Sequence, residues 1–209
     1  MINNKYIAIE GAIGVGKTTL AQTISNTMKC QTLFEDYTDN PFLKKFYDEN
    51  QANSFSTQLY FLLKRIEQSE KINRTDNMLV SDFYFGKDEL FARLNLSELE
   101  FQMYNSIKNK LNFIPPIPDL IIYLQASSDI LMERVRKRGL DIEKHIKKEY
   151  IESVNHIYMK HFHEYTSSPV LIINTSNVNI NDENDYQLLI EEISSDINGK
   201  KYFNPSSIK

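Results

Sequence analysis

An α/β fold of three layers, with a five-stranded parallel sheet flanked by helices and a helical lid, is what this sequence of 209 residues predicts. Two observations lead to it. Short apolar runs alternate with amphipathic stretches along the chain, the pattern of successive strand–helix–strand units. In addition, a glycine-rich octet, Gly11-Ala12-Ile13-Gly14-Val15-Gly16-Lys17-Thr18, stands between the first apolar run and the first helix.

The first strand is expected at residues 5–10, and Thr19 to Ile24 opens a helix. The octet between them fits G-x-x-x-x-G-K-[ST], the phosphate-binding loop or P-loop. Its glycines let backbone N–H groups approach a polyphosphate closely. Gly11, Gly14, Val15, Gly16, Lys17, Thr18 and Thr19 are therefore the expected phosphate-binding set. The dipole of the following helix adds positive potential, Lys17 reaches the β and γ phosphates, and the Thr18 hydroxyl is placed to ligate Mg²⁺.

Further strands are expected at residues 31–34, 78–81, 120–125 and 170–173. Pro41 suits a first helical position, and Phe42, Leu43, Phe46 and Tyr47 then share a face. A helix at residues 54–73 carries the stripe Leu59, Leu62, Leu63 and Ile66. Another at 97–111 starts with Ser97 and Glu100 at capping-box spacing. Ser127, Ser128 and Asp129 cap the helix that bears Arg134, Arg136, Lys137 and Arg138, and Gly139 stops it. Long helices follow at 146–165 and 186–197. The polar tail from Asn198 is expected to fray.

Composition narrows the class. The 24 Lys and Arg are interleaved with 28 Asp and Glu, so no clustered basic surface marks a nucleic-acid or anionic-membrane binder. The single cysteine, Cys30, forms no internal disulfide, and no apolar run is long enough to span a bilayer. With the first strand starting so near residue 1, no signal peptide is expected, and the reading is one soluble, cytoplasmic domain.

Sheets of this kind bind ligands beyond the carboxyl ends of their strands. Glu35 and Asp36 follow the second strand there, and Asp82 follows the third. Group transfer needs one carboxylate to orient or deprotonate the acceptor and another to help hold the metal. Glu35 and Asp82 occupy those places, with Asp82 beside the Thr18 metal site. Past the fourth strand, the basic cluster fits a lid that closes on the transferring phosphoryl group. Arg134 and Arg138 form its inward pair because they lie four residues apart.

Together these residues resemble the deoxyribonucleoside kinase family, and within it the bacterial branch acting on purine deoxynucleosides. The likeness runs from Tyr6 to about Ile193. Beyond the P-loop it is carried by Glu35, Phe46-Tyr47, the segment from Phe55 to Arg65, Asp82 with Asp88, and Arg134 to Glu143. The resemblance implies that Glu35 is the base for the 5′-hydroxyl and that Tyr47 and Glu143 bond the 3′-hydroxyl. It also implies that Gln58 pairs with the base edge, with Arg65 and Asp88 on the remaining polar groups. ATP with Mg²⁺ as donor complex, a deoxynucleoside acceptor and a homodimer follow from the same likeness.

Two residues depart from the pattern. Relatives usually carry an Arg directly after the acid of the third strand, where Phe83 stands, and another after the lid glycine, where Leu140 stands. Lys87 or Arg136 is expected to compensate. A nucleoside monophosphate kinase would need the first of these arginines for its substrate phosphate, so Phe83 favours an uncharged acceptor. A nucleotide-binding regulatory protein without transfer is a second alternative. A guanine-nucleotide switch is a third, but no Asn-Lys-x-Asp segment supports it.

Overall fold

A computed structural model describes residues 5–49, 51–73, 77–178 and 182–205. Among these residues six strands form one fully parallel sheet in the order β2-β3-β1-β4-β5-β6. They are β1 (Tyr6–Gly11), β2 (Gln31–Leu33), β3 (Leu79–Ser81), β4 (Leu120–Gln125), β5 (Val170–Asn174) and β6 (Lys200–Phe203). The central strands are apolar at successive positions and buried along nearly their whole length, as a sheet covered on both faces requires. Register brings Ala8 opposite Ser81 and Gly11 opposite Leu124.

The sixth strand corrects both the five-strand expectation and the fraying tail. Residues 200–203 pair with β5, Val170 opposite Lys200 and Ile173 opposite Phe203. Of the four side chains in β6 only Phe203 is buried. An edge strand that shows its lysines to solvent carries almost no hydrophobic signal, and the backbone ladder holds it instead.

Eight helices are described: α1 (Lys17–Met28), α2 (Leu43–Asp48), α3 (Ser54–Asn73), α4 (Lys87–Asn95), α5 (Glu98–Lys110), α6 (Ser128–Arg138), α7 (Lys148–Glu164) and α8 (Glu183–Ile193). The capping box forms as expected, Ser97 Oγ accepting from the Glu100 N–H and the Glu100 carboxylate from the Ser97 N–H. Ser127 caps α6, and Gly139 ends it at φ +66°. α2 begins two residues after Pro41, because the Asn40 side-chain oxygen takes the Phe42 N–H and the Asn40 carbonyl takes that of Leu43. α8 starts at Glu183 rather than 186, with the Asp182 carboxylate accepting from Asn184 and Asp185. α4 was not expected, and it places Lys87 and Asp88 in its first turn.

α1 packs on β1 and β3, while α7 covers β4, where the Tyr123 ring stacks on Phe162 with centroids 4.3 Å apart. α3 and α7 both pack on α4. The main core lies on the sheet, and a smaller one of Leu62, Phe85, Ala92, Leu96 and Tyr104 joins α3, α4 and α5. Among the described residues no helix is long and apolar enough to cross a membrane.

Candidate active site

The P-loop follows β1 without a break. A Cβ on Gly11 (φ +147°) would stand 2.4 Å from the Leu124 carbonyl oxygen, and one on Gly14 (φ +83°) would stand 2.8 Å from that of Leu131. Only glycine allows β4 and α6 to press so closely on the loop. Lys17 Nζ arches back over it, donating to the carbonyls of Gly11 at 2.8 Å and Ala12 at 3.2 Å. Burial, reinforced by the nearby Lys87 cation, pushes the Lys17 ammonium down to about 8.

A buried carboxylate underlies this loop. Glu10, wholly buried, accepts from the Gly11 N–H at 3.1 Å, the Tyr84 N–H at 2.9 Å and the Tyr158 hydroxyl at 2.8 Å. The first phosphate-loop residue, the segment after β3 and α7 are thus tied through one side chain. Its place inside an otherwise apolar strand was the signal available in the sequence.

From the loop a chain of polar contacts leads across the strand ends. Thr18 Oγ1 donates to Asp82 Oδ2 at 2.5 Å, and Asp82 Oδ1 accepts the backbone N–H of Glu35 at 2.7 Å. Burial pushes the Asp82 carboxyl up, against the hydrogen bonds from Thr18 and Glu35. The Glu35 carboxylate is held by two cations: Arg65 Nε reaches Oε1 at 2.8 Å and Lys87 Nζ reaches Oε2 at 2.7 Å. Burial by itself would raise the Glu35 carboxyl, but Lys87 and Arg65 outweigh it and hold the group down to about 2. Arg65 also donates from Nη1 to Asp88 Oδ1 at 2.6 Å. Asp88 is wholly buried, and its carboxyl is raised by that burial despite Arg65.

Apart from Asp88, which is buried behind Arg65 and does not reach it, these groups open into one cavity. Lys17, Thr18, Glu35 and Asp82 line its phosphate end, and Tyr47, Gln58, Arg65 and Glu143 line the rest. Phe46, Tyr47 and Tyr150 form an edge-to-face cluster with centroids 5.2–6.0 Å apart. Burial, with Tyr150 and Glu143 near, raises the Tyr47 hydroxyl well above its ordinary value. The Arg65 guanidinium lies 4.8 Å from the Phe61 ring centroid. Gln58 is 2 % exposed, and its Oε1 has no partner, nor does Asp88 Oδ2.

The two lid arginines lie in different surroundings. Arg138 lines the cavity and grips Glu143, from Nε at 3.1 Å and from Nη2 at 2.5 Å. Arg134 turns instead to the segment after β5, donating to Thr175 Oγ1 at 2.8 Å and the Thr175 carbonyl at 2.9 Å, with the Val15 carbonyl at 3.4 Å. The sequence places the adenine of the donor against the polar loop around Asn177 to Asn179, of which Asn179 lies outside the described residues.

The departures from the pattern resolve spatially. Phe83 is wholly buried in the main core, away from the cavity. Arg136 lines a separate cleft with Gly139, Leu140 and Lys144. Of the two expected substitutes, Lys87 alone reaches Glu35. Sequence reading missed the walls Thr57, Phe61, Phe91 and Tyr150. Thr57 and Phe61 share a helix face with Arg65 at four-residue spacing, which was a usable signal, whereas Tyr150 arrives from a helix remote in the chain.

A phosphate-binding loop that opens into an aromatic-walled pocket defines a P-loop phosphotransferase for a small acceptor. The chain belongs to the deoxynucleoside kinase family, whose profile matches residues 7–198. It is 37% identical over 153 residues to a deoxyguanosine kinase of Bacillus subtilis (strain 168), covering 71% of this chain and 74% of that protein. It is 28% identical to the deoxyadenosine/deoxycytidine kinase of the same organism, over 92% of this chain and 93% of the relative. A solved structure of deoxyadenosine kinase from M. mycoides with bound dATP superposes with a TM-score of 0.80 at 24% identity, over 91% of this chain and all of that one. The family resemblance drawn from the residues is borne out, and the protein is a kinase of deoxynucleosides.

Proposed function

We propose that the protein transfers the γ-phosphoryl group of ATP to the 5′-hydroxyl of a purine deoxynucleoside, deoxyadenosine or deoxyguanosine, in cytoplasmic nucleotide salvage. The placement of Glu35 carries this reading. Its N–H bonds Asp82, which bonds Thr18 of the phosphate loop, and its carboxylate lines the same cavity as Tyr47 and Gln58. Similarity to deoxyguanosine and deoxyadenosine kinases supports the purine preference.

In this mechanism Gly11, Gly14, Val15, Gly16, Lys17, Thr18 and Thr19 cradle the donor phosphates. Thr18 and Asp82 are hard oxygen donors in mutual contact, a pair suited to Mg²⁺, which neutralises charge on the β and γ oxygens when bound. Glu35 accepts a hydrogen bond from the 5′-hydroxyl and aligns it on phosphorus. A carboxyl held down to about 2 is a weak base. The proton therefore moves to Glu35 late, as the forming O–P bond acidifies the oxygen and the bond to ADP breaks. A loose transition state needs no stronger base. Arg138 and Lys87, which line the same cavity as the phosphate loop, balance the charge that spreads over the equatorial oxygens in this reading, and Arg134 braces the loop through the Val15 carbonyl.

Tyr47 and Glu143 take the 3′-hydroxyl, and Gln58, Arg65 and Asp88 read the base. The burial of Phe83 in the core leaves the position after Asp82 without a cation for an acceptor phosphate, which supports a neutral acceptor. A homodimer fits the exposed apolar side chains Leu63, Leu99 and Met103 on the adjoining helices α3 and α5.

The test is phosphorylation of the four deoxynucleosides, and of thymidine monophosphate, with labelled ATP. Product from deoxyadenosine or deoxyguanosine at the highest kcat/KM is expected. Product from the monophosphate alone would replace this reading with that of a monophosphate kinase.

A further inference from the structure

Thr57 stands on α3 one residue before Gln58, and both residues line the cavity. It is 1 % exposed, and its Oγ1 has no hydrogen-bond partner. A threonine within a helix ordinarily turns its hydroxyl back to a carbonyl one turn earlier. Here the Thr57 backbone N–H takes the Asn53 carbonyl at 2.8 Å, and the hydroxyl makes no such bond. Buried polar groups are almost always paired, so a hydroxyl without a partner on a residue of the cavity wall has its bonding capacity free for a ligand.

The surroundings support that reading. Gln58, next to it in the chain and lining the same cavity, likewise has a buried Oε1 without a partner. The backbone at Thr57 is also pinned. Asn40 Nδ2 donates to its carbonyl at 3.2 Å while Asn40 Oδ1 accepts from the Phe42 N–H at 3.0 Å. Thr57, Phe61 and Arg65 follow at four-residue spacing along one helix face, which sets the hydroxyl in line with the Phe61 ring and the Arg65 guanidinium.

We infer that Thr57 is a base-contacting specificity residue, its hydroxyl pairing with the nucleobase edge beside the group taken by Gln58. The inference deepens the deoxynucleoside reading and rests on it. A hydroxyl both donates and accepts, so it meets a ring nitrogen or an amino group equally well. It therefore tunes preference among bases that Gln58 admits and leaves the reacting 5′ end untouched.

Thr57→Val removes the hydroxyl at nearly constant shape, and Thr57→Ser keeps it. Steady-state kinetics of both variants and the native enzyme with each deoxynucleoside should show KM for the preferred one raised about five- to tenfold in Thr57→Val, the worth of one hydrogen bond. kcat should be unchanged and Thr57→Ser should restore KM. The ligand-free Thr57→Val protein should melt no lower than the native one, since a buried hydroxyl without a partner has gone. Unchanged KM for every base, or an equal rise for all four with a lower melting temperature, would overturn the inference while native turnover leaves the kinase reading intact. A native protein that neither phosphorylates any deoxynucleoside nor binds one by calorimetry would overturn both.

Discussion

Lys87 Nζ lies 2.7 Å from Glu35 Oε2, and both side chains are largely shut off from water, at 5% and 13% exposure. The pair joins the first turn of α4 to the end of β2, where Arg65 closes on the other carboxylate oxygen. A buried carboxylate between two cations stays ionised and fixed in orientation. That state suits the proposed role of Glu35 toward a neutral hydroxyl.

Replacing Lys87 tests this directly. Lys87→Met should lower kcat about 10²–10³-fold, the range for removing one preorganised charge at a transition state, and Lys87→Arg should recover part of it. Freed from Lys87, Glu35 feels its burial more strongly and its carboxyl rises from about 2, so the acid limb of the kcat/KM profile moves to higher pH. An acid limb that stays in place in Lys87→Met would detach Lys87 from Glu35. Because one partner of a buried pair is left alone, stability should fall by about 3–5 kcal/mol. The double variant Glu35→Gln with Lys87→Met should regain much of that in a denaturant titration.

The same pKa gives a pH dependence of stability. The Glu35 carboxyl is lower in the folded chain than its ordinary value of 4.5, so its contribution is complete above about pH 4.5. It declines as pH falls toward about 2. Denaturant titrations of native protein and Glu35→Gln should therefore differ most at neutral pH and converge in acid.

Glu35→Gln should lower kcat about 10²–10⁴-fold while nucleoside affinity stays within a few-fold. Single-turnover kinetics alongside calorimetry separate the two quantities. Equal turnover would remove Glu35 from the proton's path.

Gly11→Ala would drive a Cβ to 2.4 Å from the Leu124 carbonyl at φ +147°. A loss of about 2 kcal/mol or more is expected, seen as a melting temperature lower by about 4–8 °C for a chain of this size. The stabilisation normally given by ATP should largely disappear.

Leu99 and Met103, at 69% and 51% exposure, lie one turn apart on α5. Leu99→Glu with Met103→Glu should convert a dimer into a monomer in light scattering. A particle mass that does not change would place any self-association elsewhere.

Much of the site was readable because strand ends project carboxylates in a regular way. An acid following an apolar run, as at Asp82, must emerge beside a P-loop in a parallel sheet, and Gln58 and Arg65 are two helical turns apart by spacing alone. Lys87 was named only as one of two substitutes for a missing charge. Choosing between it and Arg136 required knowing that α4 turns its first residues toward β2 while α6 directs Arg136 into another cleft. The sixth strand was hidden because its stability comes from backbone pairing with β5, which leaves no pattern in its side chains.

Local chemistry by itself determined the phosphate loop, the alternation of strand and helix, the lid helix with its caps, and the acids beyond the second and third strands. Each depends on residues within a few positions of one another, where geometry follows from covalent spacing. Only tertiary structure decided which cations hold Glu35, that Arg134 braces Thr175, that Tyr150 walls the pocket, and that the hydroxyl of Thr57 is left open. Those outcomes depend on groups 30 to more than 100 positions apart meeting in a space with little water. There the balance of burial against pairing is set by the whole packed fold and by no single segment.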